Sequence, residues 1–272
     1  MNSTIQLIKN ALKEDMPHGD ISTDSLFKDE ISEARLIAKE SGVLSGMNIC
    51  QLTFLEVDPS LEFTVLFKDS CHVSKGEVIA LVKGRTKSIL KAERVALNFL
   101  QRMSGIATLT AKFVEKTKGT NAMILDTRKT TPTLRILEKQ AVLDGGGKNH
   151  RMNLSEMVML KDNHIQAAAS ITRAVEIVKS KIPSSMKIEV EVETIEGFIE
   201  ALYTPCDIIM LDNMSLENMK KCVSLNQNKK KLEASGNMTL DRIEEVSKTG
   251  VDYISVGQLT HSYQSLDISL KF

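Results

Sequence analysis

The chain has 272 residues, a size at which a globular fold buries roughly three quarters of its unfolded surface, so its core needs no disulfide or metal staple. Hydrophobic residues make up 42% and charged residues 26%, which excludes collagenous, disordered and coiled-coil chains. The 35 basic residues balance 35 acidic ones, so no overall field favours nucleic acid or an anionic membrane surface, and anion binding has to be local.

No apolar run approaches the roughly 18 residues of a membrane span. Lys13, Glu14 and Asp15 fall where a signal peptide would be apolar, so a cytoplasmic protein is expected. Cys50, Cys71, Cys206 and Cys222 lie far apart with no CxxC pair, and all four read as packing residues rather than as a disulfide framework or zinc site.

In chain order, Glu33 to about Lys87 alternates β-type runs (ARLIAKESGVLSG, LEFTVLF, EVIALVKG) with turn residues, which predicts a small mixed sheet. Ile89, Ala92, Val95, Ala96, Phe99, Leu100 and Met103 then recur at helical spacing, and a second helix is expected from Ile106 after Gly105. From Asn121 onward, the buried-strand runs AMILD, MVMLK, KIEVEVE, DIIMLD, KLEAS and DYISVG alternate with amphipathic segments. That rhythm implies parallel βα units, because parallel neighbours need a crossover. Six such strands are too few for a complete eight-stranded barrel; an open α/β barrel is favoured over a doubly wound sheet.

Polar residues fall at strand ends. Asp126, Lys161, Glu191, Asp212, Ser235 and Gly257 each sit at or just past the C-terminal end of a predicted strand, the rim where parallel α/β folds assemble their sites. Between Asp126 and Asp162 there are seven Arg or Lys residues against five Asp or Glu, with His150 beside them. Arg128, Arg151 and Lys161 suit carboxylates or phosphates, Arg in bidentate geometry and Lys as a compact charge. Gly145, Gly146 and Gly147 match no nucleotide-binding motif; they read equally well as a backbone that folds over a ligand or as a helix C-cap. His150 reads as an orienting histidine or a hydrogen-bond donor to an anion. Glu191 and Asp212 end neighbouring strands, with Glu189 and Glu193 on the face of Glu191, and two such carboxylates either hold Mg²⁺ or answer the nearby cations. EASGNM and SVGQLTHS put a small residue and Gly after the last two strands, the pattern of a barrel phosphate cradle.

A phosphosugar diphosphate and a small carboxylate would fill such a pocket. The segments EDMPHGDIST, ERVALNFLQRMSGIAT, DTRKTTPTLR, GGGKNHR, MVMLKDNHI, EVEVET, IIMLDNMS, LEASGNMT and GVDYISVGQLTHS resemble quinolinate phosphoribosyltransferases over nearly the whole chain. The resemblance implies a pentosyltransferase that moves phosphoribose from phosphoribosyl pyrophosphate to quinolinate, releasing CO₂ and pyrophosphate and giving nicotinate mononucleotide on the route to NAD. It further implies Mg²⁺, an N-terminal α/β sandwich domain (residues 1–103) and a C-terminal open α/β barrel (residues 104–272) whose last residues can return to the first domain. A homodimer or an assembly of dimers is also implied, with no nucleic-acid or membrane partner.

By motif position, Lys129, Lys161, Glu191 and Asp212 take the implied catalytic places. Glu191 and Asp212 are the implied metal ligands. Substrate contacts fall on Arg94, given across the dimer, and on Arg128, Lys129, Thr130, His150, Arg151, Lys161, Glu191 and Asp212. The phosphate loops are Ser235, Gly236 and Asn237, then Val256, Gly257 and Gln258, with His261 beyond. Asn237 and Thr133 stand where the family commonly has glycine; Asn tolerates positive φ. Three rivals remain at this stage: a relative with another acceptor base, such as a nicotinate phosphoribosyltransferase or the molybdenum-locus homologues, a Schiff-base lyase using Lys161, and a noncatalytic phosphosugar-binding protein.

Overall fold

Residues 2–272 are described by a computed structural model, and they group into two units. The first runs to Leu109 and takes in Leu143–Gly146 and Tyr263–Phe272. It comprises α1 (Asn2–Asp15), α2 (Ile21–Leu26), β1 (Ile31–Ala38), β2 (Gly42–Val43), α3 (Met47–Val57), β3 (Glu62–Val65), β4 (His72–Val73), β5 (Val78–Arg85) and most of the long helix α4 (Thr86–Glu115). The strand Ile268–Lys271 lies beside β1, followed by β5 and β3, in one sheet. One face is apolar by period-two alternation: Ala34, Leu36, Ala38, Ala80 and Val82 pack with Phe54 of α3 and with Ile89, Ala92, Ala96 and Leu100 of α4.

Three expectations are corrected in this unit. Every strand pair of this sheet is antiparallel rather than mixed, because none of its neighbours is linked by the strand–helix–strand crossover that parallel pairing needs: β3 returns to β5 through the segment that holds β4, and β1 meets strands that come much later in the chain. Gly105 does not end a helix; α4 continues through it for 30 residues. Its missing side chain serves a close approach, because a Cβ there would collide with the backbone of Gln264 and Ser265. Cys50, Cys206 and Cys222 are buried, but Cys71 is exposed, in a turn whose backbone carbonyl accepts the Leu44 N–H.

The second unit covers Thr110–Val142 and Gly147–Ser262. Its elements are β6 (Met123–Leu125), α5 (Arg135–Asp144), β7 (Val158–Leu160), α6 (Asp162–Ala168), α7 (Ile171–Lys179), β8 (Ile188–Val192), α8 (Ile195–Leu202), β9 (Ile208–Asp212), α9 (Leu216–Asn226), β10 (Lys231–Ser235), α10 (Leu240–Ser247), β11 (Tyr253–Ser255) and α11 (Gln258–His261). All six expected strands are present, parallel, in the order β6, β11, β10, β9, β8, β7. The edge strands β6 and β7 do not pair with each other, which makes the sheet an open α/β barrel. Ser170, Thr194 and Ser215 start α7, α8 and α9 by accepting the N–H three residues ahead at 3.1 Å, each such cap stabilising by about 1 kcal/mol.

The chain after α5 lines the open edge. The Lys148 N–H donates to the Ile124 carbonyl, and the Asp126 N–H to the Lys148 carbonyl. Beneath this bridge Asp126 and Lys139, both fully buried, form an ion pair. Asp126 Oδ1 also accepts the His150 N–H at 2.9 Å, and Lys139 Nζ donates to the His150 carbonyl at 2.9 Å. Burial pushes the Asp126 carboxyl up to about 6, a rise restrained by Lys139 and the His150 N–H.

Lys139→Met leaves a buried carboxylate without its cation and should cost about 3–5 kcal/mol in chemical denaturation. Thr133 is an exposed β-branched residue held at φ 69, so Thr133→Gly should relieve the strained backbone. After the extra entropy of glycine in the unfolded chain, the expected gain is about 0.5–1 kcal/mol, read as a higher denaturation midpoint.

Candidate active site

Alternation along the parallel strands turns one set of side chains inward: Met159 and Lys161, Glu189 and Glu191, Met210 and Asp212, Glu233 and Ser235, then Ser255 and Gly257. All of these except Glu189 border one cavity of about 790 Å³ at the C-terminal ends of the strands. That size suits small-molecule ligands. The intervening residues Ile188, Val190, Val192, Ile209 and Leu211 are buried apolar positions, so the same alternation builds both the core and the site.

Cations dominate one wall. Arg128, Lys129 and Arg151 border the cavity, and Arg128 Nε is buried without a hydrogen-bond acceptor. Arg151 donates to the Met157 carbonyl at 2.8 Å; burial and the nearby Arg128 draw its guanidinium below the usual value. Neither arginine has a carboxylate partner within salt-bridge distance among the described residues. Lys161 is different, since its Nζ lies 2.5 Å from Glu191 Oε2.

At the base of the cavity, His150 Nε2 is 3.0 Å from Glu189 Oε2 and 3.5 Å from Glu233 Oε2. These are charge contacts rather than aligned hydrogen bonds: Nε2 and all four carboxylate oxygens have no aligned partner. Nδ1 lies 2.7 Å from the Arg151 backbone nitrogen and accepts its N–H only while the imidazole is neutral with its proton on Nε2, so protonation of His150 breaks this bond. Burial opposes a charged imidazole, but the two glutamates outweigh it and push His150 up to about 10. Burial and the neighbouring Glu233 push Glu189 up to about 7. His150, Arg151 and Glu233 also border a second cavity of about 590 Å³, lined at the other end of the strands by Met123, Lys187, Ile208 and Tyr253.

The opposite wall consists of two strand-end loops. After β10, Gly236 and Asn237 take left-handed φ values of 87 and 49. A Cβ on Gly236 would stand 2.8 Å from the Asn213 backbone nitrogen, so glycine is required by both conformation and space. After β11, a Cβ on Gly257 would meet Lys129 Cδ at 3.0 Å. Thr260 Oγ1 donates to the Lys129 carbonyl at 2.8 Å and ties this loop to the one carrying Arg128.

Of the residues singled out from the sequence, Arg128, Lys129, His150, Arg151, Lys161, Glu191, Asp212, Ser235, Gly236, Asn237, Gly257, Gln258 and His261 border this cavity together. Thr130 does not; its Oγ1 accepts from Arg135 Nε at 2.9 Å. Val256 is buried, with its N–H on the Leu125 carbonyl, and offers no free donor to a phosphate. Arg94 is exposed on α4 and belongs to the first unit. Gly145, Gly146 and Gly147 end α5 as a C-cap, with the Gly146 N–H on Leu143 and the Gly147 N–H on Val142, and do not border the cavity.

Among the lining residues the sequence reading missed are Met159, Met210, Asn213 and Glu233. Period two extended one step back along each strand would have found three of them; Asn213 carries no such signal.

Comparison with known proteins identifies the family and the fold. The family models for the N-terminal and C-terminal domains of quinolinate phosphoribosyl transferase match residues 20–104 and 106–271. A probable nicotinate-nucleotide pyrophosphorylase [carboxylating] from Synechocystis sp. is 43% identical over 96% of this chain and 89% of that protein. One from Bacillus subtilis is 42% identical over 97% and 92%. The crystal structure of NadC from Streptococcus pyogenes superposes with a TM-score of 0.96 at 42% identity, covering 98% of this chain and 95% of that one. The nicotinate-nucleotide pyrophosphorylase from Francisella tularensis also gives 0.96, at 38% identity and 99% and 96% coverage. On both sequence and fold, the chain belongs to the quinolinate phosphoribosyltransferase family.

Proposed function

We propose that the cavity transfers phosphoribose from phosphoribosyl pyrophosphate to the ring nitrogen of quinolinate and decarboxylates the adduct, giving nicotinate mononucleotide, pyrophosphate and CO₂ for NAD synthesis. The observation that carries this reading is the pair Arg128 and Arg151, which share a cavity wall without an acid partner while Arg128 keeps a buried, unused Nε–H. Two partly buried guanidiniums with no carboxylate within salt-bridge distance suit a ligand with more than one negative group, and a dicarboxylate is such a ligand.

Arg128, Arg151 and His150 hold the carboxylates of quinolinate, and Lys129 and Lys161 meet the negative charge of the donor. The loops Ser235–Asn237 and Gly257–Gln258, with His261 nearby, take its phosphates. Glu191 and Asp212 offer only carboxylate oxygens at the cavity rim, a donor set that fits Mg²⁺. When bound there, Mg²⁺ neutralises charge on the departing pyrophosphate. The protein's own contribution is to position the ring nitrogen at the ribose carbon and to present fixed cations where negative charge gathers. Once alkylated, the pyridinium accepts the electron pair left by the departing carboxylate, so CO₂ leaves without an organic cofactor.

Among the alternatives, a Schiff-base role for Lys161 fits poorly. Its amine is engaged with Glu191, and a nucleophilic lysine needs its lone pair free. We also propose a homodimer in which Arg94 of a second copy completes the substrate pocket. A cytoplasmic setting is part of the same reading, since multiply charged substrates do not cross a bilayer unaided.

The decisive assay supplies protein, Mg²⁺, phosphoribosyl pyrophosphate and either quinolinate or nicotinate; CO₂ and mononucleotide should appear with quinolinate, and no product with nicotinate. Arg128→Ala removes a charge-assisted contact of about 1.5–3 kcal/mol, so kcat/KM for quinolinate should fall by roughly 10- to 150-fold. Unchanged turnover would remove Arg128 from the site. For the shared pocket, the inactive variants Arg94→Ala and Lys161→Ala should regain partial activity when mixed and allowed to exchange subunits, because one site of the mixed dimer is then intact.

A further inference from the structure

We infer that Asn213 and Asn237 form a side-chain strap that positions the Asp212 carboxylate for the phosphoribosyl donor, so that Asn237 is a positioning residue and not a passive stand-in for glycine. The inference rests on the phosphoribosyltransferase reading above and adds two residues to its machinery.

Asp212 and Ser235 stand opposite each other at the ends of β9 and β10. From there both chains turn through left-handed residues: Asn213 at φ 53, Gly236 at φ 87 and Asn237 at φ 49. Asn213 Nδ2 donates to Asp212 Oδ2 at 2.7 Å, and Asn237 Nδ2 donates to Asn213 Oδ1 at 3.1 Å. The direction of this chain is forced. An ionised carboxylate only accepts, so Asn213 must turn its NH₂ to Asp212 and its oxygen outward, where a donor such as the Asn237 amide fits.

The backbone beneath is already tied. The Asn213 N–H donates to the Ser235 carbonyl at 3.0 Å, and Arg242 bonds the Gly236 and Met214 carbonyls at 3.2 and 2.9 Å. With the two loops held from below, the strap acts on side-chain orientation rather than on loop position. Asp212, Asn213, Gly236 and Asn237 all border the cavity, so a bound ligand covers the strap and excludes water from it. In that setting the two hydrogen bonds gain weight, and with one Asp212 oxygen held, the other is left for the ligand. A glycine at 237 would keep the backbone conformation and lose this restraint.

Isothermal titration calorimetry on the full-length protein with Mg²⁺ and phosphoribosyl pyrophosphate, without quinolinate, tests the strap. Asn213→Gly, Asn237→Gly and the double variant all keep positive φ accessible. Binding should weaken by about 3- to 10-fold in Asn213→Gly and by a smaller factor in Asn237→Gly. The double variant should be no worse than Asn213→Gly alone, because both residues act through one chain. In turnover assays the KM for quinolinate should stay within about twofold, whereas a general structural defect would move both substrates together. Wild-type affinity in Asn237→Gly, or additive losses in the double variant, overturns the strap. If Asn213→Gly does not fold, Asn237→Gly decides alone. Failure of the wild type to bind phosphoribosyl pyrophosphate would instead sink the reading on which the strap rests.

Discussion

The ion pair between Asp126 and Lys139 is the constraint on which the site depends. An open barrel has two unpaired edge strands, and here the segment after α5 is stitched along β6 by backbone hydrogen bonds to Ile124 and Asp126. The pair fixes that segment at its far end, with the carboxylate on the His150 N–H and the ammonium on the His150 carbonyl. One more residue along the chain is Arg151. A buried pair of this kind adds little net stability compared with apolar packing, but losing one partner leaves the other desolvated, and so the arrangement resists alternatives.

The barrel interior is unusual for a fold whose centre is normally filled with branched apolar side chains. Glu189 and Glu233 are fully buried, His150 is wedged against both, and Arg128 keeps an unused buried donor. Such groups destabilise a folded protein unless something compensates. Part of the compensation is internal, because opposite charges face each other around His150. Arg128 and Arg151 lie outside that compensation, with no carboxylate within salt-bridge distance among the described residues. Polar groups kept in a barrel interior at the expense of stability are common at functional centres.

Backbone geometry divides the labour differently on the opposite wall. Gly236 is obligatory because its φ is positive and Asn213 leaves no room for a Cβ. Asn237 follows at a φ its side chain tolerates, and that side chain then enters a hydrogen-bond chain ending on Asp212. Thr133 shows the contrary outcome, a β-branched residue at positive φ with no compensating contact described for its side chain.

Much of this protein could be read without coordinates because the determining signals are local. Runs such as KIEVEVE and DIIMLD announce strands, their alternation with amphipathic segments forces parallel pairing, and the polar residue closing each run marks the rim. Local signals failed where the cause was distant. Gly105 looked like a helix break, but it lets Gln264 and Ser265 pass close to an unbroken helix; Val256, which the family resemblance put in a phosphate loop, has its N–H on the Leu125 carbonyl. Period two is a property of a single strand and is written in the sequence. Which inward residues share a cavity, whether Glu191 meets Lys161, and which arginines are left without an acid depend on strand order and register, and those are settled only when the whole sheet has assembled.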